Sequence, residues 1–234
     1  MVRDMIASRS TAFIPRRDGY HFSNTNIRWD FNGASGTALC GGMAYSSLDF
    51  FHARMTIPGD TTPPAPGTIL NEYIQSRQID AHGFAIPRLF AGLLRDHSAL
   101  FLTGVRMSES FGAVVGQIDR NQSVPILLVA VDKPLSTNSH WVVAIGYEMD
   151  EAPPDYGGRK CGRVKVYDSN HPDVDCFLTP DPQLNRFAHS RGGTYRTYIP
   201  NPNYRPVNLR QPRYSPLTGL RYQPTTRQSS TPFF

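Results

Sequence analysis

The spacing of hydrophobic residues divides the chain into a helical first part and a strand-rich second part. In the first part, apolar residues recur three or four positions apart, which is the spacing of one helix face. This periodicity predicts helices over residues 42–52, 68–79, 87–95 and 109–121. An alternating segment, residues 27–31, predicts a short strand, and residues 32–36 form a glycine-containing loop that leads to Cys40.

The second part carries the patterns of β-strands. Residues 124–131 and 140–147 are unbroken apolar runs of strand length, which predict buried strands. Three more strands are predicted over residues 163–168, 173–178 and 193–199. Helices followed by antiparallel strands predict an α+β domain, in which a helical N-terminal half packs on an antiparallel sheet from the C-terminal half.

Residues 200–234 differ from the rest of the chain. They are rich in Pro, Arg, Asn, Tyr, Ser and Thr and lack hydrophobic periodicity. Such a segment buries too little apolar surface to fold alone, so we predict one domain over 1–199 and an extended tail over 200–234. Arg interleaved with Tyr leaves a second interpretation open, in which the tail docks on a partner.

Charge and composition limit the function classes further. The net charge of +5 belongs to the tail, since five of the 24 basic residues follow residue 200 and the other 19 match the 19 acidic residues. We therefore do not predict nucleic-acid binding. No apolar run approaches the roughly 20 residues of a membrane span, and the N-terminus does not resemble a secretory signal. These features favour a cytoplasmic protein, with export without a cleaved signal left open.

Three cysteines argue against a disulfide scaffold, and one of them has the surroundings of a nucleophile. Cys40 stands between a glycine-rich loop and a helix-forming run, and a thiolate is stabilised at a helix start by unpaired backbone N–H groups. Cys161 and Cys176 are expected to be small core residues.

A thiol nucleophile needs a base, and usually a third group that orients the base. His140 follows a polar loop and opens a predicted strand, so it is fixed yet faces a cleft. Asp168 closes another strand and is the expected orienter, with Asn170 as the alternative. The polar surroundings of His189 predict that it is solvated. The carboxylates around Asp168 do not match a calcium loop, and we predict neither a metal nor a cofactor.

Three sequence blocks together resemble the motifs of a known family. Residues 39–43 (Leu-Cys-Gly-Gly-Met), 138–147 and 166–170 are similar to the Cys, His and Asp blocks of papain-like cysteine peptidases, and closest to the bacteriocin-processing (double-glycine) branch. The resemblance spans residues 20–180. It implies a papain-like fold with a cleft between helical and sheet halves, in which Cys40, His140 and Asp168 form a triad.

One position departs from the family pattern. These enzymes usually carry a Gln six residues before the Cys that donates to the oxyanion, and this chain has Ala34 there. Asn32, or else Ser35, is the expected substitute, together with the backbone N–H of Cys40.

The sequence thus predicts a thiol hydrolase that cleaves a peptide or other amide bond in a peptide or protein substrate. Two alternatives stay open. The same triad could transfer the acyl group to an amine or deamidate glutamine in a partner protein. The scaffold could also bind a partner without catalysis, with the tail as a docking arm.

Overall fold

The computed structural model describes residues 5–31, 34–95, 102–131, 139–150, 161–181, 183, 186–209, 213–214 and 221–222. Four α-helices lie in these ranges: α1 Pro15–Asp18, α2 Cys40–Ala53, α3 Ile69–Arg95 and α4 Leu102–Ile118. The two helices predicted over 68–79 and 87–95 are one continuous helix, α3, with Pro87 in its interior. A 3₁₀ turn covers Asn24–Asn26.

Most of the strands follow the predicted pattern. The main strands are β1 Met5–Ser10, β2 Arg28–Phe31, β3 Ala34–Thr37, β4 Val124–Ala130, β5 His140–Asp150, β6 Arg163–Tyr167, β7 Cys176–Asp181, β8 Arg186–His189 and β9 Thr194–Pro200. Two short strands, β10 Arg213–Tyr214 and β11 Arg221–Tyr222, pair with each other. Strand β3 replaces the loop expected over 32–36, because residues 34–37 pair with β2.

The strands β4 to β9 form a closed antiparallel barrel of six strands, in the order β5-β4-β9-β8-β7-β6 and back to β5. The predicted fold, a helical half packed on a sheet in a papain-like arrangement, is therefore wrong, although the α+β class is compatible with the structure. Closure depends on the length of β5, which pairs with β4 from Leu128↔His140 onward and with β6 up to Glu148↔Arg163. Alternating patterns reveal strands, but they do not reveal which strand edges meet.

Both faces of the barrel wall are covered, which explains the unbroken apolar runs. One set of strand side chains, including Ile126 and Leu128, packs with Phe111 and Val114 of α4. The opposite set, including Leu127 and Trp141, packs against α2 and the part of α3 near Ala81 and Ala85. Helix α2 is therefore pressed against the outside of the barrel wall, and its first residue lies close to the start of β5.

A buried carboxylate attaches the segment after β9 to the helices. Asp49 accepts hydrogen bonds from the Tyr73 hydroxyl at 2.6 Å, the Tyr204 hydroxyl at 2.6 Å and the Val207 backbone N–H at 2.9 Å. The Arg77 Nε lies 2.7 Å from Asp49 Oδ2, the oxygen that also accepts from Tyr73. This network fixes residues 204–207 against α2 and α3.

Within the described part of the chain, none of the helices combines the length and apolar character needed to cross a membrane.

Candidate active site

Neighbouring segments surround the first turn of helix α2, which begins at Cys40. They accept hydrogen bonds from its backbone N–H groups and pack closely against it. The Leu39 N–H donates to Asn24 Oδ1 at 2.5 Å, and the Gly42 N–H donates to Gln78 Oε1 at 2.7 Å. A Cβ added at Gly42 would lie 2.1 Å from the Ile74 carbonyl oxygen. The glycines after Cys40 thus allow α3 to lie directly against the helix start.

Cys40 is half-buried and is surrounded by groups that favour its thiolate. Burial opposes ionisation, but the hydrogen bond and charge of His140 and the backbone N–H groups of Trp141 and Gly41 outweigh it. The pKa of Cys40 is therefore below its ordinary value. Burial raises the pKa of Cys161 to about 12 and that of Cys176 to about 11, so both of these thiols stay protonated.

His140 and Asp168 are brought together by neighbouring strands. His140 opens β5 and Asp168 directly follows β6, and His140 Nε2 lies 2.6 Å from Asp168 Oδ1. Since Nε2 faces the carboxylate, Nδ1 is the ring nitrogen left for Cys40. The structure thus brings the three residues that the sequence singled out, Cys40, His140 and Asp168, into one chain of contacts.

The charges of this pair stabilise each other in a buried setting. Burial lowers the pKa of His140, but the charge and hydrogen bond of Asp168 and the contact with Cys40 raise it to about 10. Burial raises the pKa of Asp168, yet His140, His189 and the Asn170 N–H together hold it well below its usual range. Asp168 is thus a carboxylate, and His140 is an imidazolium, over the neutral pH range.

Asn170, the alternative orienter, acts through its backbone. Its N–H donates to Asp168 Oδ1 at 2.8 Å, whereas its side-chain Oδ1 accepts from Asn24 Nδ2 at 3.1 Å. Asn24 also accepts from the Leu39 N–H and donates its own N–H to the Ser169 carbonyl at 2.8 Å. Asn24 therefore joins the turn that carries Asp168 to the residue before Cys40.

The expected oxyanion donor on the upstream loop is not located by the structure. Asn32 lies outside the described residues, and Ser35 belongs to β3. An amide does reach the helix start, but it comes from α3: Gln78 accepts from Gly42 through Oε1, and its Nε2 lies 2.9 Å from His82 Nε2. Sequence reasoning missed Gln78, because a glutamine within a helical repeat carries no signal of its partner.

His189 is a second histidine on Asp168, and the expectation that it is solvated is wrong. Only 6% of its surface is exposed, and its Nε2 lies 3.2 Å from Asp168 Oδ2. It ends β8, which places its ring over the Asp168 turn. The sequence signal was misleading, because the residues around His189 are polar while the ring itself faces the site.

Asp168, His171 and His189 place ligand atoms within 4.8 Å of one another, a spacing that a metal ion could use. The chemistry of His189 argues against this. Its Nδ1 accepts the Arg191 N–H at 3.1 Å, so the proton of the neutral ring lies on Nε2, whereas a ligating nitrogen needs a free lone pair. The group fits a hydrogen-bonded cluster better than a set of metal ligands.

The sequence also placed Asp173 and Asp175 near Asp168, and their carboxylates have separate partners. Asp173 Oδ1 lies 2.7 Å from His21 Nδ1, and Asp175 Oδ2 lies 2.8 Å from Lys165 Nζ. The acidic cluster seen in the sequence is therefore divided among different contacts in the fold.

A thiol, an imidazole and a carboxylate in this order can act as a nucleophile, a base and an orienting group. Comparison of the chain with protein-family models, with curated proteins and with solved structures finds no match. The resemblance to papain-like peptidases thus stays a prediction, and the geometry of the site is the basis for assigning a function.

Proposed function

We propose that the protein is a thiol hydrolase that cleaves a peptide or other amide bond through an acyl-enzyme on Cys40. The observation that carries this proposal is the chain of contacts from Cys40 through His140 to Asp168, with 2.6 Å between the imidazole and the carboxylate. Such a chain supplies a nucleophile, a proton carrier and an orienting group in a single site.

The two half-reactions follow from these groups. The Cys40 sulfur attacks the carbonyl carbon, and the imidazolium of His140 gives its proton to the departing amine as the C–N bond breaks. His140 then takes a proton from water, which attacks the thioester and releases the acid and the free thiol. The backbone N–H of Cys40, and Asn32 if it reaches the site, would donate to the oxyanion.

The electrostatics support this chemistry. A pKa below the ordinary value for Cys40 and of about 10 for His140 favour the thiolate–imidazolium pair between the two values. The resemblance of three sequence blocks to cysteine peptidases favours the same chemistry. The closed barrel indicates that the fold expected from that resemblance does not accompany it.

The test uses an activated ester, so that it does not require the natural substrate. p-Nitrophenyl acetate should acylate Cys40 with a burst of one nitrophenolate per protein, followed by turnover as the thioester is hydrolysed. Intact-mass spectrometry should find one acetyl group, which is absent in Cys40→Ala and present in the matched control Cys176→Ala. Equal acetylation of Cys40→Ala, or a thioester as stable as that of a small thiol, would overturn the proposal.

The same experiment separates the alternatives. Transfer to an amine predicts that added primary amines capture the acetyl group faster than water does, as an amide seen by mass spectrometry. A non-catalytic scaffold predicts no burst, and it is disfavoured by the contact between Cys40 and His140. We propose a peptide or protein as the natural substrate and, from the sequence, the cytoplasm as the compartment.

A further inference from the structure

Two buried imidazoles lie next to the two oxygens of one carboxylate. His140, at the start of β5, contacts Asp168 Oδ1 at 2.6 Å, and His189, at the end of β8, lies 3.2 Å from Oδ2. The side chains of His189 and Asp168 are 2% and 3% exposed. Because water is nearly excluded, the orientation of this carboxylate is set by protein groups alone.

The surroundings of His189 determine which nitrogen carries its proton. Nδ1 accepts the Arg191 N–H at 3.1 Å, so the neutral ring is protonated on Nε2. Nε2 is buried and has no well-aligned hydrogen-bond partner among the described residues. Asp168 Oδ2 lies 3.2 Å from Nε2, which is within hydrogen-bonding distance, so a small turn of either side chain would align the Nε2–H group with the carboxylate.

Both the ring and the backbone of His189 have partners that hold the residue in place. His171 stacks on it with 5.7 Å between ring centroids and 25° between planes. The His189 backbone N–H donates to the Gly193 carbonyl at 3.0 Å, and the residue pairs with Leu178 across β7 and β8. These contacts keep the ring next to Asp168 and limit how far it can turn.

We propose that His189 is a positioning residue for the triad: its Nε2–H holds Asp168 Oδ2, so that Oδ1 stays directed at His140. A carboxylate held at one oxygen can rotate about its Cβ–Cγ bond, and each rotation misdirects His140. The Asn170 N–H on Oδ1 and the His189 N–H on Oδ2 together fix the carboxylate plane. This inference rests on the proposed function, since a positioning role requires the thiol chemistry of Cys40.

The test compares His189→Leu, which removes the donor, with His189→Gln, whose side-chain amide can donate from nearly the same place as Nε2. In His189→Leu the hydrolysis rate of the acetyl-enzyme should fall about 10- to 100-fold, as for other groups that orient a catalytic ligand or base. His189→Gln should restore most of the rate. His21→Leu is the matched control, because it breaks a His–Asp contact outside the triad.

A second readout does not depend on turnover. The proton between His140 Nε2 and Asp168 should give a low-field proton NMR signal, assigned by its loss in His140→Gln. The signal should vanish in His189→Leu and persist in His189→Gln and His21→Leu, even if the wild-type protein fails to hydrolyse the thioester. A signal and rate unchanged in His189→Leu, or lost equally in Leu and Gln variants, would overturn the positioning role.

Discussion

Asp49 and Asp168 are two buried carboxylates with a similar number of hydrogen-bond and ion-pair partners. They differ in the kind of side chain that provides these partners. Asp49 is bound by Arg77 and by the hydroxyls of Tyr73 and Tyr204. A guanidinium stays charged at any working pH, and burial together with the charge of Asp49 raises the pKa of both tyrosines well above the ordinary value. None of these partners exchanges a proton near neutral pH.

Asp168 instead faces imidazoles, the side chains whose ordinary pKa lies nearest to neutral. One of them, His140, also contacts a thiol whose pKa is lowered. Both carboxylates lose their hydration on folding, so both must be compensated by donors. The comparison shows that two equally buried carboxylates differ in the kind of partner, and the proposed chemistry depends on the imidazole partner of Asp168 rather than on its burial.

The largest expected effect concerns Asp168, the carboxylate of the proposed active site. Asp168→Asn should lower the rate of acyl-enzyme hydrolysis on Cys40 by about 10²- to 10⁴-fold, because His140 loses the charge and orientation that make it a base. Stopped acylation followed by mass spectrometry measures this rate per folded molecule. Asp49→Asn is the matched control, and a similar loss in that variant would refute the distinction.

The next largest effect concerns Asp49, the carboxylate that joins residues 204–207 to the helices. Asp49→Ala removes the buried counter-ion of Arg77 and leaves it the half-exposed Asp80, and it also leaves the Tyr73 and Tyr204 hydroxyls without their acceptor, so the free energy of unfolding should fall by about 3–5 kcal/mol. Denaturant titration measures it. The double variant Asp49→Ala, Arg77→Met should recover part of the loss, since no charge then stays buried. A loss of less than about 1 kcal/mol in the single variant would contradict this account.

A smaller effect concerns the connection between the Asp168 turn and the Cys40 helix. Asn24→Ala leaves the Leu39 N–H and the Asn170 amide oxygen unpaired, which should lower the free energy of unfolding by about 1–3 kcal/mol. Asn24→Asp keeps the acceptor for Leu39 and should lose less. Asn26→Ala, at an exposed position of the same 3₁₀ turn, serves as control and should change stability by under about 0.5 kcal/mol.

The smallest effect is a pH dependence of stability. The pKa of His140 is raised above its ordinary value of 6.5 by Asp168, so its contribution to stability is complete below pH 6.5 and is lost as the pH rises through the raised value. The contribution of Asp168, whose pKa is lowered, is present above about pH 4 and is lost only on further acidification.

This dependence is measured in a Cys40→Ala background, where no site thiolate titrates. The difference in unfolding free energy between His140 and His140→Gln proteins should be largest between about pH 4 and 6.5 and should shrink above pH 6.5. A difference that grows with pH would show that the charge of His140 is not stabilised in the folded state.

The local structure around Cys40, His140 and Asp168 could be predicted from the sequence. An unbroken apolar run located β5 and an alternating pattern located β6, and the positions of His140 and Asp168 at their ends followed from those strands. The helix start at Cys40 was readable from its glycines and the apolar run after it. Barrel closure was not readable, because it depends on which edge of β5 meets β6, and a pattern along one strand is the same for either edge.

The supporting residues could not be predicted for a different reason. Asn24, Gln78 and His189 act through contacts with residues far along the chain, such as Asn24 with Asn170. Neither composition nor periodicity specifies such pairs, because each of these residues is an ordinary polar position by sequence. The polar neighbours of His189 also predicted a solvated side chain. Those neighbours face outward, whereas the ring of His189 faces inward.

Strand β9, which closes the barrel, is the last of its six strands to be synthesised. Ribosomal synthesis delivers Cys40 first, then His140 and Asp168, and β9 must emerge before β4 gains its second neighbour through pairs such as Ile126↔Pro200. Until then one edge of β4 is unpaired, and an unpaired strand edge can pair with another chain. Because the last strand of the barrel to be made pairs with the first, the wall is complete only after all six strands have been synthesised.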